Sequence, residues 1–203
     1  MASNFFKKLS DLTHIHNRAA FTDVPKRAGM TESAFKTLVK ERFSCRSFKS
    51  TPLTQAQIDN ILEAARLAPT AANKQPVHVW VVKSEEGLAK LKKATDYTYG
   101  APVVFMVGAK PDAAWVRKYD GKNGAEIDAA IVGTHIMLEA SAQGLGNVWV
   151  GSFDPALLKA ILPGTEGYEL VAIINVGYPT EDSQPSPMHG VRKSIEEFVT
   201  KIE

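Results

Sequence analysis

LTQAQIDNILEAARLAPTAANKQPVHVWVV, residues 53–82, reads as helix, loop and strand in succession, and each boundary has a physical cause. Thr54 and Gln57 stand at capping-box spacing, with Leu53 and Ile58 placed as a hydrophobic staple around the start. Ile58, Ile61, Leu62 and Ala65 then recur at i, i+3, i+4 and i+7, which predicts one buried stripe. Pro69 stops the helix, and Val77–Val82 is a β-branched and aromatic run of strand length.

Between helix and strand lies Ala68-Pro69-Thr70-Ala71-Ala72-Asn73-Lys74-Gln75-Pro76. It holds no carboxylate, no histidine and no hydroxyl besides Thr70, so its chemistry is holding rather than reacting. Asn73 and Gln75 each carry donors and acceptors suited to the polar edge of a planar heterocycle or to a sugar alcohol. Pro76 biases Gln75 towards an extended backbone, so the two amides are expected on a stiff loop. By itself the stretch reads equally well as an ordinary helix-to-strand connection.

Working outward, residues 1–29 read as an N-terminal extension, and Met30-Thr31-Glu32-Ser33 as a fresh start, with Thr31 as N-cap of a helix ending near Glu41. Pro102–Ala109 is a near-continuous apolar strand, and Leu88–Ala94 a short basic helix before it. Residues 110–124 form a long loop. Ala125–Gln143 is the strongest helix, stopped by Gly144 and allowed close packing by Gly133. Asn147–Phe153 and Leu170–Gly177 read as strands, Asp154-Pro155 as a helix start, and Ser194 with Glu197 as the capping box of a short last helix. Mixed elements without regular βαβ alternation predict an α+β fold.

The chain has 203 residues, enough for one domain with a full core. Its 24 Lys and Arg against 22 Asp and Glu are spread along it, giving a net charge of +2 and no polybasic tract that would point to nucleic acid or a membrane surface. The single cysteine, Cys45, excludes an intramolecular disulfide framework and fits a reducing compartment. With no apolar run of spanning length, a soluble cytoplasmic protein is expected. Acidic Asp11 and Asp23 in the basic first 29 residues argue against an organelle leader.

In Arg42-Phe43-Ser44-Cys45-Arg46, an extended backbone places residues 42, 44 and 46 on one side. Two guanidiniums around a hydroxyl suit a phosphate; a solvated basic edge is the competing reading. Gly144 and Gly146 do not make a dinucleotide fingerprint, because the third glycine and the strand-turn-helix order are missing. Gly151 either admits a ligand close to the backbone or marks a bulge. The histidines, His14 and His16 in the extension and His78, His135 and His189 elsewhere, lack metal-ligand spacing, and no Ser-His-Asp pattern is present, so neither a metal nor a protein catalytic residue is expected.

Taken in order, Glu41–Arg46, Ala68–Pro76, Asp128-Ala129-Ala130, Gly144-Leu145-Gly146, Trp149-Val150-Gly151 and Arg192-Lys193 resemble the nitroreductase family of flavin enzymes, from about Met30 to the last residue. That resemblance implies an α+β sandwich over residues 30–203, with a mixed, mostly antiparallel central sheet flanked by helices, forming a homodimer that binds FMN. It implies phosphate and ribityl contacts at Arg42, Ser44 and Arg46, flavin amide contacts at Asn73 and Gln75, in some members donated across the dimer, and a basic C-terminal contact near the phosphate at Arg192, with Phe43 and Lys193 also among the cofactor-binding residues. The Trp149, Val150, Gly151 and Ser152 stretch would face the flavin's N5 and O4 edge.

The expected activity is transfer of hydride from NADH or NADPH to a small nitroaromatic, quinone or enone-like acceptor. The cofactor carries the redox chemistry, so the lack of an acid-base pair is no obstacle. Rival readings keep the fold and change the task, to metabolite dehydrogenation, dehalogenation or flavin fragmentation, or to a non-catalytic flavin sensor. Tyr97, Tyr99, Trp115 and Tyr119 are the aromatic candidates for the acceptor side. Residues 1–29 have no counterpart role in the family.

Overall fold

A four-stranded sheet in the order β1-β2-β4-β3 organises the molecule, with β1 Val77–Val82, β2 Val103–Ala109, β3 Gly146–Val150 and β4 Glu169–Gly177. The computed structural model describes residues 32–203; the expected extension of residues 1–29 and the Thr31 cap lie outside them. All three ladders are antiparallel. One isolated parallel bridge, Ser44 to Asn147, lies outside the strands at the free edge of β3.

Strand alternation sorts the side chains to two faces. On one face Val77, Val79, Phe105, Val107, Ala172 and Ile174 pack with α2, Gln55–Arg66, and α4, Ala125–Ala142. On the other Val82, Val104, Met106, Val148, Val150 and Ile173 pack with α3, Glu85–Ala94, and α5, Pro155–Ile161. The remaining helices are α1, Glu32–Glu41, and the short α6, Ile195–Phe198. This is the expected α+β sandwich.

The Thr54 capping box forms as read: its hydroxyl accepts the Gln57 N–H, and the Gln57 side chain accepts the Thr54 N–H. Ile58, Ile61 and Ala65 are buried beneath it. The C-terminus of α4 closes as a Schellman motif, with Leu145 N–H donating to the Ala140 carbonyl and Gly144 N–H to that of Ser141. Gly144 supplies the required left-handed residue, at φ +73°.

Two boundaries and one backbone conformation differ from the sequence reading. Helix α3 begins at Glu85 instead of Leu88, because Ser84 caps it by accepting the Gly87 N–H. Strand β3 stops at Val150 rather than Phe153, because beyond it the chain bonds to the end of α3: Thr95 Oγ1 donates to the Ser152 carbonyl, and Asp154 N–H to the Ala94 carbonyl. Gln75 is not extended. It has φ +50°, and its N–H donates to Thr70 Oγ1 at 3.0 Å, so a side-chain bond within the loop overrides the bias from Pro76.

Candidate functional site

The segment after α1 runs along the free edge of β3, where Cys45 N–H donates to the Asn147 carbonyl at 2.9 Å. Gly146 makes this approach possible, since a Cβ there would lie 2.8 Å from Cys45 Sγ and 3.0 Å from Pro179. The second glycine of Gly-Leu-Gly thus makes room for the arginine segment. Cys45 itself is fully buried, its thiol donating to the Ser47 carbonyl at 3.2 Å and lying 3.3 Å from the Ser183 hydroxyl.

With Cys45 turned inward, alternation turns its neighbours the other way. Arg42, Ser44 and Arg46 line one cleft of about 220 Å³, together with Arg192, Ser186, Met188 and His189. Among the described residues no carboxylate lines it. Burial, and then the positive charge of Arg192, push the Arg42 guanidinium below its ordinary value. Like charges gathered beside two hydroxyls, with no counter-charge among the described residues, are a donor set that suits a polyanionic oxygen group.

His189 belongs to this cleft, and sequence reading missed it because a lone histidine carries no spacing signal. Its Nε2 donates to the Lys40 carbonyl at 3.0 Å, which ties the C-terminal segment to the end of α1 and brings Arg192 into place. Arg192 in turn donates to the Val191 carbonyl at 2.7 Å. Phe43 points away into an adjoining cleft with Leu38, Leu145 and Pro179, its ring meeting His189 edge-on at 6.4 Å between centroids. Lys193 is exposed and lines neither cleft.

Asn73 and Gln75 do not line the arginine cleft. Gln75 opens onto a separate one of about 280 Å³, with Leu62, Arg66, Ala68, His78 and Val132 around it. The loop that carries both amides is strained: Ala72, Asn73 and Gln75 have φ of 51°, 52° and 50°. Such geometry costs about 1–2 kcal/mol for a non-glycine residue, less for asparagine. Bonds within the loop hold it, from Asn73 N–H to the Thr70 carbonyl and from Lys74 N–H to that of Ala71. One bond comes from α4, where Asp128 Oδ1 accepts the Ala71 N–H at 2.9 Å.

Trp149 and Val150 direct their side chains into the core on opposite faces of the sheet, and the Trp149 ring fills the space left by Gly133 of α4. Gly151 and Ser152 follow as exposed backbone. What this segment offers a ligand is therefore main chain, fixed by Thr95. Among the described residues no three His, Cys, Asp or Glu converge in a way that could hold a metal, and no helix is long and apolar enough to cross a membrane.

A helix-flanked antiparallel sheet with an arginine-rich cleft on its edge defines the class, and comparison identifies the family. The chain belongs to the nitroreductase family, whose model matches residues 39–99 and 92–178. It is 34% identical to a nitroreductase family protein of Clostridium difficile 630, whose crystal structure superposes with a TM-score of 0.74 over 80% of this chain and 95% of that one. It is 29% identical over 154 residues to an Archaeoglobus fulgidus protein provisionally named NADH dehydrogenase/NAD(P)H nitroreductase, covering 71% of this chain and 85% of the relative. A Desulfovibrio desulfuricans protein crystallised in complex with FMN shares the fold at 24% identity, with a TM-score of 0.70 over 85% of this chain and 99% of that one.

Proposed function

We propose that the chain is an FMN-dependent oxidoreductase that takes electrons from NADH or NADPH and passes them to a small nitroaromatic, quinone or enone-like acceptor. One observation carries this reading: Arg42, Ser44, Arg46 and Arg192 converge on a cleft that no carboxylate lines among the described residues. A flavin phosphate fits that donor set, and Arg42, already disfavoured as a cation by burial and Arg192, gains from the counter-charge. Names borne by relatives, an NAD(P)H nitroreductase and a protein crystallised with FMN, point to the same chemistry.

In this reading FMN supplies the hydride and electron chemistry when bound, and the chain binds and orients. The arginines and Ser44 hold the phosphate. Asn73 and Gln75 address the polar edge of the ring, and the Gly151 and Ser152 backbone faces its reactive edge. Tyr97, Tyr99, Trp115 and Tyr119 are the aromatic residues available to an acceptor.

The same reading calls for a homodimer. The arginines and Gln75 line different clefts of one chain, and a second copy would bring the two limbs of the cofactor site together. Exposed apolar side chains support it: Ile127 on α4 is 50% exposed, while Ile195 and Phe198 of α6 are 67% and 77% exposed. The FMN-binding domain would comprise residues 30–203, with residues 1–29 added to it; the family match starting at residue 39 is in keeping with that division.

The test is the absorption spectrum of the purified protein before and after anaerobic NADH or NADPH. A flavin band that bleaches with the nicotinamide and returns with a quinone or nitroaromatic is expected. Colourless protein, with no flavin released by heat and no spectral change on FMN titration, overturns the proposal.

A further inference from the structure

We propose that Asp128 is the positioning residue for the amide loop: its carboxylate holds Ala71–Gln75 in the left-handed conformation that presents Asn73 and Gln75. For the cofactor this rests on the FMN reading above; for the loop it rests on geometry alone. Asp128 is 1% exposed, and no ion pair to it forms among the described residues. Burying a carboxylate without a cation is unfavourable unless hydrogen bonds hold it. Asp128 stands in the first turn of α4, where the free N–H groups of the helix favour negative charge.

Its Oδ1 accepts the Ala71 N–H at 2.9 Å, while Oδ2 has no hydrogen-bond partner among the described residues. Among the described residues, every other side-chain bond to the backbone of residues 71–75 comes from within the loop, from Thr70 or Gln75. Local bonds of that kind close a turn but do not fix where it sits in the fold. The Asp128 bond does, because it joins the turn to a helix buried against the sheet. The loop also lies against the head of α4, where a Cβ on Gly124 would stand in ordinary contact with the Ala71 Cβ at 3.9 Å. A conformation with three left-handed non-glycine residues persists only where its surroundings over-determine it, and Asp128 is the outside side chain that does so.

The experiment compares the full-length protein with Asp128→Ala, Asp128→Asn and Ala71→Pro. Ala71→Pro deletes the donor and leaves the carboxylate; Thr70, at φ −129° and ψ 155°, already has the extended backbone that a following proline favours. Amide hydrogen exchange of FMN-free protein is read first, and FMN dissociation constants second. In Asp128→Ala the amides of residues 72–75 are expected to exchange about tenfold faster or more, with β2 and β4 unchanged, and FMN to bind about 10- to 100-fold more weakly. Asp128→Asn, which keeps an acceptor oxygen, recovers most of both, and Ala71→Pro weakens FMN like the alanine variant.

Unchanged loop exchange in Asp128→Ala, exchange rising equally in β2 and β4, or no recovery with asparagine overturns the proposal. Should Asp128→Ala fail to fold, Ala71→Pro decides by the same two readouts. A wild-type protein that binds no FMN defeats the functional reading and leaves the exchange comparison to decide this one.

Discussion

The Thr95 hydroxyl donates to the Ser152 carbonyl at 2.7 Å and accepts the Tyr97 N–H at 3.2 Å, so one buried side chain ties the segment after β3 to the Tyr97–Tyr99 turn. From the other side Asn175 Nδ2 of β4 donates to the Tyr97 carbonyl at 2.7 Å. Replacing Thr95 by the near-isosteric valine removes both bonds, while the exposed Ser152 and Tyr97 can turn their freed groups to water. Thr95→Val is expected to lose about 0.5–1.5 kcal/mol per bond in urea unfolding of the FMN-free protein, the net worth of a hydrogen bond whose partners regain water.

Arg42 and Arg192 make a charge conflict whose sign can be worked out. The folded state lowers the Arg42 pKa, so the protonated form is carried at a disadvantage at every pH below that value, the whole working range included. Stability from this source returns only where arginine deprotonates, far above that range. Arg192→Met should therefore leave FMN-free protein unchanged or more stable by a few tenths of a kcal/mol, allowing for solvent screening of a half-buried group. It should weaken FMN about tenfold, as loss of one charge-assisted contact predicts. Urea unfolding paired with FMN titration checks the opposing signs.

Gly133 sits within α4, and a Cβ there would fall 2.5 Å from Trp149 Cζ3 and 3.2 Å from Ile174 Cδ1. Helix propensity favours alanine over glycine by about 1 kcal/mol, but the clash is with a ring that core packing holds in place. Overpacking wins, and Gly133→Ala is expected to destabilise by about 1–3 kcal/mol. Adding Trp149→Leu should return part of the loss, and a double-mutant cycle measures that coupling.

The phosphate and ring limbs of the proposed site can be separated with riboflavin, which lacks the phosphate. Arg42→Ala should weaken FMN about 10- to 100-fold and leave riboflavin nearly unaffected. Asn73→Gly should weaken both alike. Glycine is the apt replacement there, because at φ 52° it removes the amide without adding backbone strain. Fluorescence titration of the four pairs distinguishes the limbs.

Local chemistry made much of the fold legible. Capping boxes at Thr54 and Ser194 and the Gly144 stop all appear where spacing put them, because each depends on residues within one turn. The alternation of Arg42, Ser44 and Arg46 was legible for the same reason. Arg192 and His189 were not reachable by spacing, since they enter the cleft from about 150 residues away through a tail contact to Lys40. The geometry of Gln75 was misread because the Thr70 hydroxyl, a longer-range influence than the next proline, decides it. Asp128 looked like a helix residue, and only the packed loop reveals whom it serves.

Cys45 gives the molecule a built-in reporter. It is the chain's one thiol, sealed beneath Gly146 and between the two residues whose side chains line the anion cleft. Alkylation needs an opening of this packing, and Arg42–Arg46 lifting from the edge of β3 is one that would expose it. The labelling rate therefore clocks that opening, without any engineered probe. An anion seated among the arginines should slow the clock, and one that does not slow it binds somewhere else.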